Sequence, residues 1–159
     1  MGRYYEADQS VYELMDSIIN EHFGDLRNAK IKILMDTKTQ INKLTGRVKF
    51  GYIKTANEVE KFLTMDGQNL EGIDYIMFLS ELTWSLAEEA NKTRIVRHEL
   101  RHCFLDEKGN YKLVPHEIED FYVEIELNQD DPRWGQSLAD LVRIRHEQIK
   151  AEEKAARNN

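Results

Sequence analysis

Cysteine is nearly missing from this chain. Cys103 is the only one, so no intrachain disulfide can form and a four-cysteine metal site is excluded. Long apolar runs are missing too: none approaches the roughly 18 residues that a membrane span needs, so no membrane partner is expected. Positive charge is in deficit, with 22 Lys and Arg against 29 Asp and Glu and a formal net charge of -7. Phosphate neutralisation usually needs a basic surface, so a dedicated nucleic-acid binder is disfavoured. Residues 1–8 lack the basic-then-apolar layout of a secretory signal. With a single cysteine, the expected setting is a reducing cytoplasm. No internal repeat breaks the chain into units.

What remains suits an ordinary globular protein. The 159 residues are 41% hydrophobic and 32% charged, enough for one cored domain with little room for a second. We expect that domain to span residues 1–150, followed by a polar, frayed tail at 151–159. Residues 10–23 place Val11, Leu14, Met15, Ile18 and Ile19 at helical spacing, with Gly24 as the stop. Ile31, Ile33 and Met35 alternate as in a strand, and residues 47–54 do the same with Val48, Phe50 and Tyr52. Residues 58–65 read as a short helix, and 73–79 are nearly all apolar, as in a strand buried on both faces. Ser85 and Glu88 have capping-box spacing, so a helix is predicted to start there and carry Leu86, Ala90, Thr93, Val96, Leu100 and Cys103 on one stripe. It should stop before the turn-rich stretch at 106–110. Residues 111–114 read as extended. Pro115 is then placed to open a helix bearing Ile118, Phe121, Tyr122 and Ile125, and a last helix should begin near Ser137.

The chemistry sits in His98-Glu99-Leu100-Arg101-His102. Positions i and i+4 of a helix lie one turn apart on one face, so His98 and His102 present two imidazoles to one point, a geometry suited to Zn²⁺. Glu99 is not a ligand in such an arrangement. It lies beside the metal, where it can take a proton from water and return it to a leaving amine. The metal lowers the water pKa to roughly 7 and polarises the scissile carbonyl. A catalytic site needs a third protein ligand. His116, a short turn and a brief extended segment later, is favoured; Glu119, three residues on, is the alternative. Glu117 and Asp120 fit a helix N-terminus, or a place behind a ligating histidine where they would orient it.

The remaining polar residues have plainer readings. His22 and His146 are expected to be solvated. Arg94, Arg97 and Arg101 share a helix face that is either solvated or salt-bridged, or else a basic rim selecting acidic substrates or phosphate groups. Trp84 and Trp134 are assigned to packing, and Cys103 to the core.

The chain resembles the putative phage metallopeptidases, a small zincin-like family. The resemblance runs from Asp74-Tyr75-Ile76 through Trp84 to His98-Glu99-Leu100-Arg101-His102, and on through Leu113-Val114-Pro115-His116-Glu117-Ile118-Glu119-Asp120-Phe121. It covers most of residues 30–127, and Arg101 stands where family members often carry a small residue. It implies a zincin-type fold, a zinc ion on His98 and His102 with His116 as third ligand, Glu99 as general base, and a phage or prophage origin, hence a host cytoplasm. The expected architecture is α+β: a small mixed sheet of three or four strands packed against the active-site helix, with helices at both termini. The expected activity is zinc-dependent cleavage of a protein or peptide. A metal-binding interaction or regulatory module without turnover is the rival, distinguished by a closed coordination sphere. A nucleic-acid factor using the arginine face is the third reading.

Overall fold

The computed structural model describes residues 2–116 and 120–159. Its main sheet has four strands: β1 (Tyr4–Glu6), β2 (Ile31–Asp36), β3 (Gly51–Thr55) and β4 (Tyr75–Ser80), in the order β1-β2-β4-β3. Only β2 and β4 run parallel, from Ile31 opposite Tyr75 to Asp36 opposite Ser80; β1 and β3 flank them antiparallel. The sheet is therefore small and mixed, as expected. Its fourth strand is β1, whose three residues offer too short a pattern to read. The extended segment after residue 110 joins a separate hairpin instead: β6 (Tyr111–Leu113) pairs with β5 (Cys103–Leu105).

The two faces of the sheet have different coverings. Ile31, Ile33 and Met35 of β2, with Tyr75, Met77 and Leu79 of β4, point to the helical side. There they meet Val11, Met15, Ile18 and Ile19 of α1 (Gln9–His22), Ile95, Val96 and Leu100 of α4 (Glu89–Arg101), and Leu138 and Val142 of α6 (Trp134–Arg157). The other face holds a smaller cluster of Ala56, Ile73, Ile76 and Phe78, with Leu34 and Tyr52 against it. Burial on both faces explains why β4 is apolar up to Leu79. The helix α2 (Glu58–Leu63) is closed by a capping box from Asn57 and Glu60 and buries none of its residues.

Three local expectations are corrected. The capping box at Ser85 and Glu88 does not form. Ser85 lies in the last turn of a separate helix, α3 (Glu81–Leu86), where its hydroxyl donates back to the Leu82 carbonyl; Ser80 caps that helix at Thr83. Ala87 is extended, and Glu88 becomes the N-cap of α4, so the histidine-bearing helix is shorter and starts later than its apolar stripe implied. The helix assigned to Pro115 starts at Tyr122 instead, as α5 (Tyr122–Leu127), with Phe121 extended before it; Ile118 lies outside the described residues. Finally, α6 begins at Trp134 and continues to Arg157, about 36 Å at 1.5 Å per residue. Residues 151–157 thus form exposed helix instead of a frayed tail.

Leu100 is wholly enclosed between α4 and the sheet, one residue from the candidate base Glu99. Leu100→Ala is expected to lower unfolding stability by about 3 kcal/mol in urea denaturation, the transfer loss plus the cavity left behind. A loss below about 1 kcal/mol would mean that α4 is not anchored through this side chain.

Candidate metal centre and cleft

The last turn of α4 carries His98, while His102 is its C-cap, still in helical conformation. Directly after it, β5 and β6 fold the chain back. Tyr75, from the centre of the sheet, holds this hairpin by donating its hydroxyl to the Lys112 carbonyl at 2.8 Å. The return ends in a reciprocal pair: the Val114 N–H donates to the His102 carbonyl, and His102 Nδ1 donates to the Val114 carbonyl, both at 2.7 Å. A carbonyl can only accept, so His102 carries its proton on Nδ1 and its Nε2 lone pair is left facing outward. His116 follows two residues later.

His98 is fixed in the same way. Its Nδ1 lies 2.7 Å from Asp120 Oδ1, and that carboxylate also accepts the Phe121 N–H at 2.8 Å. With Nδ1 committed, His98 Nε2 points to His116 Nε2 at 2.8 Å, a distance at which one proton is shared between them. The ligand atoms of His98, His102 and His116 all lie within 4.8 Å of one another. This is the one group of its kind among the described residues. Phe121, itself buried, sets its ring 5.0 to 5.5 Å from all three imidazoles and forms an apolar backing to the cluster. The sequence pattern had assigned Phe121 to a helix face, and only the loop geometry shows its place.

Such a cluster fits a divalent cation. Three imidazole nitrogens converge, and in two of them the tautomer is set by an acceptor behind the ring, the arrangement that orients histidine ligands. The electrostatics agree. Burial and the neighbouring His98 and His102 hold His116 below its ordinary pKa, and burial likewise lowers His102 despite its bond to Val114. Burial also acts to lower His98 but is outweighed by the Asp120 bond and the nearby Glu99, so His98 is raised. Asp120 shows the converse balance: burial acts to raise it, and the His98 and Phe121 bonds hold it low.

Glu99 is 7% exposed and turns toward the same cleft as the histidines. Burial pushes its carboxyl up to about 7, with the charges of His98 and Lys49 pulling the other way. The cleft is large, about 1890 Å³, compared with the roughly 300–1,000 Å³ of a small-molecule pocket. Its walls are the loop at 37–50, the outer strand β3, α3 and α6, with the histidine cluster between them. His146 of α6 lines this cleft and is half-buried, where it had been expected to be solvated.

The arginine face of α4 points elsewhere. Glu124 of α5, with no exposed surface, accepts from Arg97 Nε at 2.8 Å and from Arg101 Nη2 at 3.1 Å. Arg97 also reaches Asn128, and Arg94 binds Asp130 at 2.6 Å. Arg101 stacks over Phe23 at 4.4 Å. The salt-bridged reading of this face holds, and no basic rim is formed by these three residues. Instead they dock α5, and through it Phe121 and Asp120, against α4. Glu117 and Glu119, the alternative ligand, lie outside the described residues.

A family model described as putative phage metallopeptidase matches residues 3–144. The chain belongs to that family. No curated protein and no solved structure matches it. The family is that of a metallopeptidase, which implies a metal ion and protein or peptide substrates, and the three histidines could hold such an ion. No helix among the described residues is long and apolar enough to cross a membrane.

Asp120→Asn removes the negative acceptor behind His98 while keeping its size. Zinc affinity, measured by competition with a chromogenic chelator, is expected to fall about 10- to 100-fold. Unchanged affinity would show that Asp120 does not orient a ligand.

Proposed function

We propose that this protein is a zincin-like zinc peptidase, with residues 1–150 as its domain. His98, His102 and His116 hold the ion and Glu99 is the general base. The observation that carries this reading is the convergence of three imidazoles, with a buried carboxylate at hand, on a cleft wide enough for a peptide. Among the described residues three imidazoles converge and no fourth side-chain ligand joins them, a set that suits catalytic zinc better than a structural site closed by four side chains.

A bound zinc ion supplies Lewis acidity, acidifying water and polarising a carbonyl. The protein's own groups do the rest. Glu99 can accept a proton from the attacking water and later deliver it to the departing amine. Its place one residue after His98 sets it beside the reacting centre. Asp120 and the Val114 carbonyl keep the two helix histidines turned so that their free nitrogens face the cleft. Phe121 excludes water from behind the cluster. The protein's one cysteine is buried, which suits a reducing host cytoplasm as the place of action.

Glu99→Gln keeps the shape of the site and removes the base. In zinc-supplied protein, cleavage of casein or of a peptide library is expected to fall by about 10²- to 10⁴-fold while bound zinc stays unchanged. Equal cleavage by Glu99→Gln would contradict the assigned role of Glu99.

A further inference from the structure

The chain carries seven more acidic than basic groups, yet one wall of the cleft has the opposite sign. The loop at 37–50 contains Lys38, Lys43, Arg47 and Lys49 and no carboxylate. All four line the cleft and are exposed. Among the described residues, Lys38, Lys43 and Lys49 have no carboxylate partner, unlike the three arginines of α4. Lys49 rests its ammonium 4.0 Å from the centre of the Tyr52 ring, and its charge reaches Glu99, which places this wall within range of the reacting centre.

The loop is held in this position. Ile41 and Val48 pair across it, Gly46 turns its tip with φ 71°, and Arg143 of α6 donates to the Gly46 carbonyl at 2.8 Å. Phe50 packs against Trp134 at its base. Aligned cations on a fixed loop keep their spacing before any ligand arrives, so little ordering is needed on binding. Elsewhere in the lining, α3 brings Glu81 and α6 brings Glu147, Lys150 and Glu153. The 37–50 loop is thus the stretch of the lining that carries cations without carboxylates, while the other walls include carboxylates, and this weighs between polyanions. A nucleic-acid strand, with a phosphate at every residue, would bring charge against those carboxylates, whereas a peptide can place acidic side chains on one side only.

We propose that the cleft selects peptides bearing acidic side chains, with Lys38, Lys43 and Lys49 of the 37–50 loop as the recognising cations. The proposal rests on the peptidase reading for the identity of its ligand as a substrate, but recognition is measurable without cleavage.

The test uses two fluorescently labelled peptides of one sequence, with Glu at alternate positions in one and Gln in the other. Their binding to the full chain is followed by anisotropy, with and without supplied zinc, beside their rates of cleavage. The Glu peptide is expected to bind about fivefold more tightly at 50 mM NaCl, with the advantage largely lost at 500 mM. In the double variant Lys38→Glu, Lys43→Glu the preference should vanish or reverse. Lys154→Glu, at the far exposed end of α6, should keep it. Equal binding of the two peptides by wild type, a preference that survives the double variant, or tighter binding of a single-stranded oligonucleotide than of the Glu peptide would each overturn the proposal. Binding preference without cleavage of any peptide would sink the peptidase reading and leave the recognition proposal standing. Cleavage without preference would do the reverse.

Discussion

The site depends on one pair of hydrogen bonds, between His102 at the end of α4 and Val114, just past the end of the returning strand β6. One of the two is an ordinary backbone bond. The other uses the imidazole, and in doing so it fixes which ring nitrogen carries the proton. The same contact that brings the chain back, and so delivers His116, also prepares His102 to act as a ligand. Folding and ligand chemistry are coupled at this point. A side chain at 102 without a ring N–H would keep the backbone bond but lose both the tie to the Val114 carbonyl and the ligand nitrogen.

A second set of interactions holds the far side of the cluster. Glu124 would be expensive to bury alone, and two arginines from α4 compensate it in the interior. This charge cluster seats α5 on α4, and the residues just before α5 are Asp120 and Phe121, which touch His98 and all three rings. Arg101 therefore has a structural task, pairing with Glu124, and does not line the cleft. The work of meeting anionic ligands falls to a loop that the arginines do not touch.

Much of this was legible in the residues themselves. The spacing of His98, Glu99 and His102 places three groups on a helix by simple periodicity, and the alternation in β2 and the unbroken apolar run of β4 announce their burial. Other features were not legible, for physical reasons. The break between α3 and α4 turns on Ala87, a residue with good helix propensity that is nonetheless extended, as is Glu88 after it. β1 is too short to show a period and exists because β2 offers it an edge. The start of α5 lies beyond Phe121 because Asp120 is committed to His98, an interaction between residues 22 positions apart that no local pattern encodes. The charge of the cleft wall was not read from the sequence, because Lys38, Lys43 and Lys49 are scattered along a loop and their orientation toward the site needed the loop's tie to α6.

The measurement that reaches the central claim most directly is X-ray absorption at the zinc edge on protein supplied with the metal and washed free of excess. The account expects one zinc per chain, with three imidazole nitrogens at roughly 2.0–2.1 Å and lighter scatterers completing the shell. Protein that retains no zinc, or zinc bound by fewer than three imidazoles, would contradict it.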